Sequence, residues 1–373
     1  MYQTGELILY GGTGVCRVTD IVAKKFSRTE PEKLYYILTP LYQTGTITTP
    51  VENSKVFTRP VITRDEALSL IDSIPTIEAE AWVEVSNERV GLEGPAFDGN
   101  GNLYVCSVGM NYPVNYIVKI DPEKNITTVY EGELSPLGLA FHEDGRLFAV
   151  CREGTLLILD PDGTVLESIT PSCEGKTFSL NDLCFTAAGD LLITDWQGSA
   201  ANPIGGIYLL TAESGYAEAL VVADKLAGPN GISLSPDENT LWVGMTNELS
   251  VYRIDLRYTD GLPAAESVEK IYENTGSGQP DSNKTDAEGN LYQAMIQAGR
   301  ILVFSPAGEP IENVLCPDSS LRMTSNLAIR PGTSEGYMLA SGFGAGSWIY
   351  TFETLAPAPC SILYATIAPK LFA

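Results

Sequence analysis

The chain has 373 residues, 44% of them hydrophobic, and a formal net charge of −24. That length exceeds what one ordinary core spans, so two modules, one of them built from repeats, are expected. The acidic excess argues against direct nucleic-acid binding, which needs clustered cations, and no apolar run reaches the roughly 18–20 residues of a bilayer helix. MYQTGELILYGG has neither a basic stretch nor an apolar core of the secretory type, so the chain reads as cytoplasmic.

The charge is unevenly placed. Residues 1–80 hold 8 Lys+Arg and 10 Asp+Glu, whereas the remainder holds 15 and 37. The first 60 residues read as short strands, GELILYG, GVCRVTDIVAKKF, KLYYILTPL and GTITTPV, parted by glycine and proline. A small SH3/Tudor-like β-barrel fits that pattern. TRDEALSLIDSI follows, with Thr63 and Glu66 as a capping box ahead of Ala67, Leu68, Leu70 and Ile71, which predicts one short helix. IEAEAWVEVSN is the expected joint, dividing the chain into residues 1–80 and 81–373.

From Glu93 onward the chain repeats. EGPAFDGNGNLYV, LGLAFHEDGRLFAV, NDLCFTAAGDLLIT, NGISLSPDENTLWVG, DSNKTDAEGNLYQAM and NLAIRPGTSEGYMLAS begin at Glu93, Leu137, Asn181, Asn230, Asp281 and Asn326. Each is a strand, a turn rich in Asp and Gly, and a second strand. Further strand pairs, such as YIVKIDP with NITTVYEG, lie between them. A period of roughly 40–50 residues without helical patterning predicts propeller blades. The expected fold is all-β: a six-bladed β-propeller preceded by the small barrel and one short helix. WVEV (Trp82–Val85) is expected to complete the last blade beside SWIYTFE (Ser347–Glu353).

Equivalent residues of six blades form a ring about the channel axis. Here that ring is Glu93, Leu137, Asn181, Asn230, Asp281 and Asn326, five of six carrying side-chain oxygen. Converging carboxylate and amide oxygens suit a hard divalent cation. Glu93, Asn181, Asn230 and Asp281 are therefore candidate ligands of Ca2+ or another oxygen-preferring cation, with Ser282 beside them. Leu137 is expected to pack, and Asn326 to support the site or touch substrate. The sole histidine, His142, falls in a turn and is expected to be solvated. There is no G-x-S-x-G elbow, Walker loop or dinucleotide fingerprint. The seven cysteines include no C-x-x-C pair and read as buried free thiols.

LEGPAFD (92–98), NDLCFTAAGDLLITDWQG (181–198), NPIGGIY (202–208), GPNGISLSPDENTLWVG (228–244) and QPDSNKTDAEGNLYQAMIQAGRILVFSPAG (279–308) resemble the regucalcin and gluconolactonase family. The last resembles its drug-responsive lactonase branch. The resemblance implies a calcium-dependent lactonase, with the metal on Glu93, Asn181, Asn230, Asp281 and Ser282. Asp281 is then the catalytic acid and base, and Asn181 and Asn326 are candidate substrate contacts. One departure bears on substrate preference: the drug-responsive branch tends to have an acid where Asn181 stands.

YQTGELILYGGTGVCRVTDI and LYYILTPLYQTGTITTPVENSKVFTRPVI resemble the RNA-polymerase-interacting domain of CarD and the transcription-repair coupling factor. That resemblance implies docking on the RNA polymerase β subunit through residues 1–75. The helical, DNA-contacting domain that follows in that family is missing here. A second functional expectation is thus a transcription-associated protein with the propeller as sensor or passenger.

Overall fold

The computed structural model describes residues 1–25, 31–42, 44–52, 56, 58–61, 63, 73–109 and 112–359. It divides into two compact units, Met1–Ser73 and Ile74–Ala373. The described residues are almost all strand and turn. The helix expected from TRDEALSLIDSI falls mainly on residues 64–72, outside the described residues.

The first unit is one five-stranded sheet, ordered Ile47–Pro50, Lys33–Pro40, Gly14–Lys24, Leu7–Tyr10, Thr58–Pro60. Strand alternation builds its core. Cys16 and Val18 face inward with Ile8, Tyr36 and Leu38, while Arg17 and Thr19 face out. A bulge between Val18 and Asp20 interrupts the ladder with Lys33–Pro40, and such bulges increase local twist.

The second unit holds six sheets, four of four strands, one of five and a last of four that draws on both ends of the unit. Each begins at one of the repeat units, and its strands follow outward in chain order. In the last sheet Glu80–Ser86 pairs antiparallel with Gly346–Glu353, the partnership expected for WVEV. The fifth sheet gains an edge strand that sequence did not suggest: Thr76–Glu78 lies parallel to Pro310–Leu315. The six first strands are Leu92–Phe97, Pro136–Phe141, Leu180–Phe185, Pro229–Leu234, Gln279–Thr285 and Leu327–Ile329. Each neighbours the next, and the sixth neighbours the first, so they surround one axis.

Burial falls from the axis outward. The second strands LYVCS, LFAVC and LLITD are buried throughout because neighbouring sheets cover both faces. The fourth strand Val165–Ile169 is almost wholly exposed. The D-G turns are built by Asp side chains. Asp98 accepts from the Asn100 and Asn102 amides at 2.9 and 2.8 Å, and Asp286 does the same for Glu288 and Asn290 at 3.0 and 2.9 Å.

Two glycines show how closely the first strands approach. A Cβ on Gly94 would lie 2.8 Å from the Leu137 carbonyl oxygen, and one on Gly231 would lie 2.4 Å from Ser282 Cα. Gly94 also has φ +52°. The glycines of E-G-P and N-G-I are therefore packing requirements of the axis.

Candidate active site

Five of the six ring positions share a backbone feature. The ladder between first and second strand slips at Glu93/Ala96, Pro136/Gly138, Leu180/Leu183, Pro229/Ile232 and Pro280/Asn283. An irregularity at each strand start re-aims its side chain. The ring thus forms where the ladders slip, at the end of the axis where the first strands begin.

Glu93, Asn230, Asp281 and Asn326 are brought together there. Asn326 Nδ2 donates to Glu93 Oε2 at 3.5 Å. The Asn230 side chain hydrogen-bonds the Asp281 carboxylate. Asp281 is 5% exposed, and burial lifts its carboxyl to about 7, opposed by the Asn230 bond and aided by repulsion from Asp182. Burial also raises Glu93 well above the usual carboxylate range, with Asp281 and then Asp182 adding repulsion. Asn230 Oδ1 is buried and meets no hydrogen-bond donor.

Asn181 is half-buried at its strand start, and no hydrogen bond to its side chain is found among the described residues. Leu137 packs in the core between the first and second sheets, as expected. Ser282 is 1% exposed, and its hydroxyl bonds Asp182.

Asp182 was missed by the ring argument, which chose its neighbour Asn181. It is buried, receives the Leu183 amide at 2.9 Å, and lies 3.6 Å from Lys284 Nζ. Burial raises its carboxyl while Lys284 holds it down. Thr194 and Gln293 were missed too. Thr194 Oγ1 accepts from the Asp182 amide at 3.0 Å and donates to the Asn230 carbonyl at 2.7 Å. Gln293 Nε2 donates to the carbonyls of Asp281 and Ser282 at 2.9 and 3.2 Å. For Gln293 the available signal was a lone amide in LYQAMI, and for Thr194 a Thr-Asp pair closing LLITD.

His142 corrects one expectation. Its side chain is only 14% exposed, beside Phe148 and Phe185, with Nδ1 3.0 Å from Asp144. The two rings shield a turn residue that sequence alone reads as solvated. It belongs to the far end of the axis, where a cavity of about 580 Å³ is lined by Phe185, Leu234, Lys284 and Ile329, residues at or near the strand ends. That cavity lies toward the opposite end of the first strands from the acidic ring, and Lys284, which lines it, reaches Asp182. Cys16, Cys106 and Cys151 are buried free thiols, and Cys173, Cys184 and Cys316 are half-buried ones. Cys360 lies outside the described residues.

The donors present fit a hard cation. They are oxygens only, one amide oxygen is orphaned, and the half-buried Glu93 and buried Asp281 carboxylates repel each other. His, Cys, Asp and Glu by themselves form no metal-holding group of three among the described residues, so the set depends on amides.

Comparison with known proteins covers both units. Residues 93–338 match the SMP-30/gluconolactonase/LRE-like region, and residues 2–62 match the CarD-like/TRCF RID domain. Lactonase drp35 of Staphylococcus saprophyticus is 35% identical over 298 residues, covering 76% of this chain and 89% of that protein. Among solved structures, a gluconolactonase from Xanthomonas campestris aligns with TM-score 0.59 at 19% identity, over 72% of this chain and 88% of its own. The calcium-binding protein regucalcin from Agrobacterium tumefaciens aligns with TM-score 0.61 at 18% identity, over 76% and 99%. These structural likenesses speak to fold.

Proposed function

The chain belongs to the SMP-30/gluconolactonase/LRE-like family, and on that premise we propose that it is a cation-dependent lactonase. Its six sheets act as the blades of a six-bladed propeller that takes in the strands from Thr76 onward, and the five-stranded sheet of the first unit acts as an SH3/Tudor-like barrel. The observation that carries the activity is Asp281, a buried carboxylate lifted to about 7, hydrogen-bonded to Asn230 and set at the ring with Glu93.

Glu93, Asn181, Asn230 and Asp281, with Ser282, would hold the cation, and Ca2+ suits their all-oxygen chemistry. When bound, it supplies Lewis acidity toward a lactone carbonyl. Asn326 steadies Glu93 through its amide. Asp281 takes a proton from the water that attacks the carbonyl carbon. As the ring C–O bond breaks, it returns that proton to the leaving alkoxide oxygen, giving the hydroxy acid. Asn181 and Asn326 would be the substrate contacts.

A panel of γ- and δ-lactones, assayed with Ca2+ and with chelator, tests this. Hydrolysis with Ca2+, its loss in chelator, and a fall of on the order of 10²–10⁴ in Asp281→Ala are expected. Activity untouched by chelator, or intact in Asp281→Ala, would overturn the assignment.

The match of residues 2–62 supports a second, separate role. We read residues 1–75 as a docking module for the RNA polymerase β subunit, in the cytoplasm and without direct DNA contact. Retention of polymerase by the full chain, lost on replacing the exposed residues of Gly14–Lys24, is the expected outcome. Equal retention by both would refute it.

A further inference from the structure

The second sheet is the one whose ring position carries no oxygen, since Leu137 stands there. The same sheet delivers a cation to that end of the axis. Its second strand ends at Cys151, which pairs with Pro136, and the Arg152 amide donates to the Ser135 carbonyl at 3.0 Å. Arg152 therefore sits one residue beyond the ladder, beside Ser135 and at the same end of the axis as Leu137. The first and second sheets meet tightly at this level, where Gly94, next to Glu93, abuts the Leu137–Leu139 backbone. Arg152 is close enough to Glu93 for its charge to be felt by that carboxylate.

Arg152 differs from Arg89, Lys176 and Lys284 in its lack of engagement. Arg89 bonds Ser107 and Val114 and stacks on Tyr112 and Tyr116. Lys176 pairs with Asp195 at 2.8 Å, and Lys284 with Asp182. Arg152 is half-buried, and among the described residues no hydrogen bond or ion pair holds its guanidinium. A half-buried guanidinium keeps its donors for something. Guanidinium matches carboxylate as a planar, two-point partner. In a chain of net charge −24, general electrostatics repel an anion, so recognising one requires such a local cation.

We infer that Arg152 is a specificity residue that binds a carboxylate on the substrate, so that the preferred substrates are lactones bearing an acidic substituent. The inference rests on the lactonase assignment. It names which lactones the ring admits and which residue selects them.

The test uses the full chain with Ca2+ and two matched probes. One is a γ-butyrolactone with a carboxylate on its γ carbon, and the other is γ-valerolactone, with a methyl there. The wild type should favour the acidic lactone. Arg152→Met should lose on the order of tenfold to a hundredfold in kcat/KM on it, through KM, with γ-valerolactone little changed. Arg152→Lys should restore part of the preference. Equal losses on both probes, or no preference in the wild type, would overturn the inference, because an arginine serving only to balance Glu93 acts on both alike.

Calorimetry with the ring-opened acidic product separates the two failures. If neither lactone is hydrolysed but wild type binds this product more tightly than Arg152→Met does, the lactonase assignment fails and Arg152 recognition stands. If the two proteins bind it equally, the inference about Arg152 fails whatever the hydrolysis assay shows.

Discussion

The acidic ring should make the metal-free chain less stable as pH rises, and Asp281→Asn isolates the effect. Asp281 has its carboxyl raised from 3.8 to about 7, chiefly by burial. A raised carboxyl means that the folded chain binds the proton more tightly than the unfolded chain does. That contribution is fully present below pH about 4 and is lost progressively as pH climbs to about 7. Three pKa units correspond to about 4 kcal/mol. In a unit of this size that is roughly 8 °C of Tm. Glu93 is raised in the same direction and partly by Asp281 itself, so removing the Asp281 charge relieves both. Asn keeps the shape and a neutral charge. In chelator, Asp281→Asn should therefore match wild type near pH 4 and melt about 8 °C higher at pH 7. Saturating Ca2+ should reverse the order at pH 7, because a cation bound only by the folded state stabilises wild type by mass action. Differential scanning calorimetry from pH 4 to 7.5, with and without chelator, reads all of this. A variant that melts below wild type at pH 7 in chelator, or a gap that does not widen with pH, would refute the reasoning.

Two further substitutions probe how the axis is built. Lys284→Met leaves Asp182 buried without its cation and should cost about 2 kcal/mol near pH 7, with the deficit shrinking in acid as Asp182 protonates, seen by urea unfolding at two pH values. Gly231→Ala places a methyl 2.4 Å from Ser282 Cα and should cost about 3 kcal/mol, with lower Ca2+ affinity by calorimetry because Asn230 and Asp281 lie on the two strands forced apart.

How much of this was legible depends on what each residue answers to. The repeat was readable because every sheet meets the same demands: a first strand close to its neighbours, an Asp-anchored turn, and a second strand buried on both faces. Those demands recur at Asp98 and Asp286 and in LYVCS and LFAVC, so they leave a period. Thr76–Glu78 left none, because an edge strand of three residues adds backbone bonds to Pro310–Leu315 and asks almost nothing of its side chains. The ring was legible as positions and not as an electrostatic system. Alignment finds Glu93, Asn230 and Asp281 because they stand at one offset. Asp182 stands one residue past that offset, and it reaches the group only because the ladder slips between Leu180 and Leu183. A slip of this kind breaks the two-residue alternation on which strand reading depends, so the site is hardest to read where the backbone departs from regular pairing. Arg152 follows the same logic. It lies beyond the end of its ladder, beside Ser135, where neither period nor alternation constrains it, and the close packing of the first and second sheets at Gly94 lets its charge reach Glu93.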